Sequence, residues 1–248
     1  EVFKRYLEEN QPVVFVGPYE HHSNEISWRE NLATVVPVDL DQDGGIDLQH
    51  LEELLQDPRY RGRKRIGSFS AASNVTGMIS PVHEIAVLLH RYDAIACFDY
   101  AASAPYVDID MNPAADQYDG DASLDAIFIS PHKFLGGPSS TGVLVFNKRI
   151  YHRELPPTVS AGGTVDYVGP CNQDFITRIE EREKPGTPGV LQVLKAAMVF
   201  EVKDNVTVEQ ITRREHELLN KVFGRWLNNP AIEILGNQDP TKRVGIIS

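Results

Sequence analysis

Two short apolar runs that each end in charge constrain this sequence more than any other feature. Ala94-Ile95-Ala96-Cys97-Phe98 stops at Asp99, and Ala126-Ile127-Phe128-Ile129 stops at Ser130-Pro131-His132-Lys133, followed by Phe134-Leu135-Gly136-Gly137. A continuous apolar run bounded by turn residues reads as a strand buried on both faces. Open α/β sheets gather their ligands beyond the carboxyl ends of such strands. A carboxylate and an amine delivered there together point to one ligand with a basic nitrogen and an electrophilic carbon.

The flanking sequence supplies the rest of such a sheet. Residues 2–9 have helical spacing, and Val13-Val14-Phe15-Val16 reads as a strand closed by Gly17-Pro18. A short helix carries Trp28, a strand runs from Thr34 to Val38, and Asp47 caps a helix through Leu55. Arg65 to Ala71 is the next strand. A helix follows from Pro81 through His90, with Val82, Ile85, Ala86 and Leu89 on its apolar face. After the irregular stretch Tyr106 to Leu124 and the run ending near Lys133, Val143-Leu144-Val145-Phe146 lies too close for a crossover helix, so it is expected to pair antiparallel. Tyr151 to Pro188 reads as loop-rich. Helices are expected over Val190 to Val202 and Val208 to Leu227.

Strands alternating with amphipathic helices predict an α/β fold, a three-layer α-β-α arrangement around a mostly parallel mixed sheet over residues 1–200. Residues 201–248 are expected to begin a small α+β C-terminal domain. Glu1 falls inside a helical pattern and Arg243-Val244-Gly245-Ile246-Ile247 reads as the start of a strand, so the sequence is expected to be a piece of a longer chain.

Composition narrows the partners. A net charge of -11 and a pI near 5.2 repel a phosphate backbone, and Arg61, Arg63 and Lys64 read as solvated loop charge, so no nucleic acid is expected. No apolar run approaches the roughly 18 residues of a membrane span. Residues 1–12 do not resemble a signal peptide, and the two cysteines, Cys97 in a strand and Cys171 in a loop, form no CxxC pair. A cytoplasmic protein without disulfides is expected. No metal site is expected either. Counted from Asp41, the sixth position of an EF-hand loop holds Ile46 where glycine is required, and Asp41 to Asp47 reads as a turn and helix cap. His83 and His90 lie seven apart and read as solvated helix histidines. Gly136 to Gly142 does not fit a P-loop.

Lys133 follows a buried run and precedes glycines that let backbone approach a ligand closely. A lysine in a partly dry cleft loses its proton more readily and attacks carbonyl carbon, the Schiff-base use of lysine. Asp99 is placed to hold a pyridinium nitrogen. At about 4 Å and an effective dielectric near 20, such a pair attracts by roughly 4 kcal/mol before desolvation is counted.

The order Glu20-His21-His22, Ser73-Asn74-Val75-Thr76-Gly77, Asp99-Tyr100-Ala101, Ser130-Pro131-His132-Lys133, Gly162-Gly163-Thr164 and Gly186-Thr187-Pro188 resembles the class V aminotransferase family of fold-type I pyridoxal-phosphate enzymes. Within that family the cysteine desulfurase and selenocysteine lyase group is most similar. The resemblance runs from about Val13 to the helix after Pro188. It implies a pyridoxal 5'-phosphate cofactor and an amino-acid substrate. Lys133 would carry the cofactor and move the proton at the substrate α-carbon; Asp99 would pair with the pyridine nitrogen. His21 would stack on the ring, Asn74 would bond near its phenolic oxygen, and Ser130 and His132 would bind the phosphate. Thr187 would reach the phosphate of a neighbouring subunit, which implies a homodimer.

The family usually has Gln or His three residues after the aspartate, donating to the phenolic oxygen, where this chain has Ala102. The family's Gly-Thr phosphate turn precedes the region matching residue 1. Its substrate-carboxylate arginine and persulfide cysteine follow the region matching Ser248, and neither Cys97 nor Cys171 takes the persulfide position. Transamination, epimerisation and β-elimination are therefore open as alternative outcomes on the same cofactor. A non-catalytic module that keeps the fold is the alternative from another class.

Overall fold

A six-stranded sheet forms because six short segments, each too short to bury itself, line up side by side and share helices as covers. The computed structural model describes residues 2–248. Its order along the chain is α1 (Val2–Asn10), β1 (Val13–Val16), α2 (His22–Arg29), β2 (Thr34–Pro37), α3 (Leu48–Gln56), β3 (Arg65–Ser70), α4 (Val82–Arg91), β4 (Ala94–Asp99), β5 (Ala126–Ile129) and β6 (Val143–Phe146). A hairpin of β7 (Val165–Val168) and β8 (Gln173–Phe175) follows, then the single turn α5 (Ile179–Arg182) and the long helices α6 (Val190–Val206) and α7 (Val208–Trp226). The sheet runs β2-β1-β3-β4-β5-β6, parallel throughout except for antiparallel β6.

The register sorts the side chains into two faces. Phe15, Gly67, Phe69, Ala96, Phe98 and Ile127 share one, and Val14, Val16, Ser68, Ser70, Cys97 and Asp99 share the other. α4 packs on the first face. A Cβ at Gly67 would meet Leu89 Cδ1 at 2.4 Å, so only glycine lets this helix lie so close to β3. α2 serves the second face, where Ser68 Oγ donates to Asn24 Oδ1 at 2.7 Å. Helices on both sides of a mostly parallel sheet make the expected α/β layers. Asp47 caps α3 as read, accepting from Gln49 N at 2.9 Å and His50 N at 3.0 Å.

The structure differs from the sequence reading in several places. Pro81 precedes α4 rather than opening it, and α6 continues to Val206 before Thr207, at φ 68, ends it and caps α7. The segment read as loop-rich contains the β7–β8 hairpin, whose side chains are mostly exposed and so leave no apolar alternation to read. Residues 243–247 form no strand; Arg243 makes one antiparallel bridge to Met78, and its guanidinium is buried among the carbonyls of Leu235, Asn237 and Ile246. His90 is not solvated. Its side chain is 12% exposed and bonded to Asp125, and His83 likewise bonds the carbonyl of Ala122 at 2.9 Å.

Candidate active site

The carboxyl ends of β3, β4 and β5 bring the charged residues to one edge. Asp99 closes β4 and is buried; its Oδ1 accepts from Ala101 N at 2.8 Å, while its other oxygen accepts from no group among the described residues. Its carbonyl receives Ala71 N at 2.8 Å, so the residue is tied into the sheet from behind. Lys133 ends a 3-10 turn, Pro131–Lys133, that leaves β5, with its own N–H bonded to Ser130 O at 3.0 Å. The ammonium is exposed and has no partner among the described residues.

Packing below the turn holds Lys133 in place. Phe134 is buried and meets Phe200 of α6 edge-on at 5.0 Å. A Cβ at Gly137 would lie 1.9 Å from Pro131 O, so the chain can fold back under the lysine only with glycine there. The lysine opens onto a cavity of about 380 Å³ lined also by Tyr106, Phe134, Val199 and Lys203. Lys203 reaches from α6 to the carbonyls of Ala104 at 2.8 Å and Val107 at 2.5 Å, stapling the turn that follows Asp99. Burial lowers its pKa from the ordinary lysine value.

The other expected residues arrive on separate loops. His21 caps α2, its Nδ1 accepting from Ser23 N at 3.2 Å, so the ring proton of the neutral form sits on Nε2. Asn74 is exposed in a turn shaped by Ser73, whose Oγ accepts from Val75 N and Thr76 N. Ser130 is half-buried and His132 exposed beside Lys133. Exposed Thr187 follows Gly186, whose N–H bonds Gly162 O at 2.7 Å, so the two late glycine motifs meet. Among the described residues no side-chain hydrogen bond joins any two of His21, Asn74, Asp99, Ser130, His132, Lys133 and Thr187; the one link between them is the backbone bond from Lys133 N to Ser130 O. Burial, and after it Asp125, pushes the Cys97 thiol up to about 12, which makes it a poor nucleophile. Sequence reading quoted Glu20 in a motif without giving it a task; in the fold its carboxylate accepts four hydrogen bonds.

The set suits a phosphorylated pyridine aldehyde. It offers a buried carboxylate with one free oxygen, an unpartnered amine on the neighbouring strand's exit, and hydroxyl and imidazole donors beside that amine. The class V aminotransferase profile matches residues 2–248, and the chain belongs to that family, whose cofactor is pyridoxal phosphate. A probable cysteine desulfurase of Halalkalibacterium halodurans is 28% identical over 239 residues, covering 95% of this chain and 54% of the relative. One from Chlamydia muridarum is 32% identical over 242 residues, covering 93% and 54%. The chain thus spans about half the length of the curated relatives it matches. An apo cysteine desulfurase of Thermococcus onnurineus superposes with a TM-score of 0.80 at 24% identity, covering 97% of this chain and 57% of that one. The cysteine desulfurase CsdA of Escherichia coli gives 0.79 at 23% identity, covering 94% and 56%. These superpositions bear out the α/β fold with its mostly parallel mixed sheet.

Proposed function

We propose that the protein containing this chain is a pyridoxal-phosphate enzyme acting on an amino acid, with cysteine desulfurase or selenocysteine lyase chemistry. The observation that carries the reading is the half-free Asp99 carboxylate and the unpartnered Lys133 amine leaving adjacent parallel strands at one sheet edge. The names of the relatives supply the direction of the chemistry. When bound, pyridoxal phosphate supplies an electron sink for charge developing at the substrate α-carbon. Lys133 attaches the cofactor and moves the α-carbon proton. Asp99 accepts from the ring N–H and keeps that nitrogen protonated. His21 covers the ring face, Asn74 donates to the phenolic oxygen, and Ser130 and His132 donate to the phosphate. Thr187 donates to a phosphate held by a second subunit, so the working form is a homodimer.

Residues 1–200 belong to the cofactor domain in this reading and 201–248 begin a second domain. A separate apolar cluster of Leu219, Phe223 and Ile234 supports that division. Among the described residues no helix is long and apolar enough to cross a membrane, which accords with a cytoplasmic enzyme.

The full-length protein is expected to purify with a visible chromophore that borohydride fixes onto Lys133. With cysteine it is expected to release alanine and sulfide. Pyruvate or another keto acid would identify one of the other class V outcomes, the direction in which Ala102 points by bringing no donor beside the ring. A protein that stays colourless with added pyridoxal phosphate overturns the enzyme reading.

A further inference from the structure

Glu20 sits one residue before His21 and joins three segments. Its Oε1 accepts from Gly17 N at 3.2 Å and Ser70 N at 2.8 Å, and its Oε2 from Asn24 Nδ2 at 2.7 Å and Ser70 Oγ at 2.7 Å. Gly17 follows β1, Asn24 lies in the first turn of α2, and Ser70 ends β3 in register with Asp99. All four lone-pair positions of the carboxylate therefore meet donors, and a proton on either oxygen would break a bond. The network continues inward, since Ser80 Oγ donates to Ser70 O at 2.6 Å and meets Tyr19 OH at 2.9 Å. The first turn of α2 is also tied directly to β3, by the paired bonds between Asn24 and Ser68.

The His21 side chain is exposed, and among the described residues its hydrogen bonds go to Ser23 alone while its ring neighbours that of His22. Nothing on the imidazole locates it against the sheet. Its place is inherited from the backbone on either side, which Glu20 and Asn24 anchor to β3. We infer that Glu20 is a positioning residue that holds His21 over the cofactor ring by clamping the start of α2 to the end of β3. The inference rests on the cofactor reading proposed above and adds to it the group that orients the ring cover. A site residue keeps its geometry only when a supporting shell locks it, and here that shell is one carboxylate with four donors.

The test uses the full-length protein loaded with pyridoxal phosphate and compares Glu20→Gln with wild type, each in the presence of His21 and with His21→Ala. The readout is the visible circular dichroism of the bound cofactor, normalised to its absorbance, because that signal follows ring orientation rather than turnover. Glu20→Gln is expected to cut the normalised ellipticity by about half, as the ring cover leaves the ~0.5 Å and ~10–20° tolerance of a supported site. In the His21→Ala background the same change is expected to do nothing further. Ser70→Ala, which deletes one donor and leaves the carboxylate, keeps the test usable if Glu20→Gln does not fold, and is expected to give a smaller loss of the same sign. An unchanged ellipticity in both variants, or an equal loss with and without His21, overturns the positioning role while leaving the enzyme reading intact. A wild-type protein that takes up no pyridoxal phosphate overturns both.

Discussion

The two edges of the sheet are built on opposite principles. At the edge where β4 and β5 begin, a buried carboxylate is fully answered. Asp125 is buried and accepts from Ala96 N at 2.9 Å, from Arg149 Nε at 2.7 Å and from His90 Nε2 at 2.9 Å; its carbonyl takes Asn147 N at 2.7 Å. One carboxylate there locks α4, β4, β5 and the exit of β6. At the edge where the same strands end, among the described residues Asp99 keeps an oxygen free, Lys133 has no partner, and the hydroxyls of Ser103 and Ser140 are buried without one. An unanswered buried polar group costs about 1–3 kcal/mol. A fold tolerates that where a ligand completes the set, so the contrast sets the edge that stabilises apart from the edge proposed to bind.

Substituting at the open edge is expected to change chemistry without changing stability. Lys133→Ala in the full-length protein should abolish the borohydride adduct and lower turnover by about 10²- to 10⁴-fold. The exposed position predicts an unfolding midpoint that moves by no more than about 0.5 kcal/mol. A large loss of stability with retained turnover would erase the distinction between the edges.

The closed edge predicts the reverse. Asp125→Ala leaves Arg149 and His90 facing an empty position, and the loss is expected at about 3 kcal/mol, the low end for breaking a buried pair because Arg149 is 43% exposed. Urea denaturation reads this directly, and cofactor absorbance at low urea should be unaltered. Gly137→Ala tests the seam between the two kinds of edge. Its Cβ would clash with Pro131 O at 1.9 Å, so the turn under Lys133 must shift, with an expected cost of about 1–3 kcal/mol. Unlike Asp125→Ala it should also weaken cofactor retention, measured by dialysis of the loaded protein.

The sequence made these edges unequally legible. The positions of the sheet strands, the antiparallel β6 and the Asp47 cap depend on short-range pattern, and the apolar runs expose that pattern openly. The strand ends carrying Asp99 and Lys133 were visible for the same reason. The closed edge was hidden because His90 and Asp125 are 35 residues apart and meet only through the register of β4 with β5. His90 therefore read as a solvated helix histidine. The Glu20 clamp was hidden likewise, since Ser70 lies 50 residues away and only the β1–β3 pairing brings it near. The β7–β8 hairpin left no signal because its residues face solvent and need no alternation.

The smallest expected effect is a pH dependence of the closed edge, and its sign follows from the groups that face His90. Burial lowers the imidazole pKa, but its hydrogen bonds to Asp125 and to the Asp121 carbonyl, with the charges of both carboxylates, outweigh it and leave the value raised above 6.5. Burial raises the two aspartates, and their bonds to His90, Ser123, Arg149 and Ala96 outweigh that, holding Asp125 below 3.8 and Asp121 at about 2. A raised histidine contributes stability that is complete below 6.5 and lost as pH rises through its folded value. A lowered aspartate contributes stability that is complete above 3.8 and lost as pH falls through its folded value. The clasp is therefore strongest between 3.8 and 6.5. The Arg149 guanidinium, 3.1 Å from His90 Nε2, opposes the imidazolium and keeps the gain small. Glu20 and Glu215, both raised by burial, slope the whole-protein profile independently, so the measurement is a difference. Wild type should exceed His90→Gln in unfolding free energy by more at about pH 5 than at about pH 8. An equal gap at both pH values would mean that His90 is held by its bonds alone, with no proton taken up on folding.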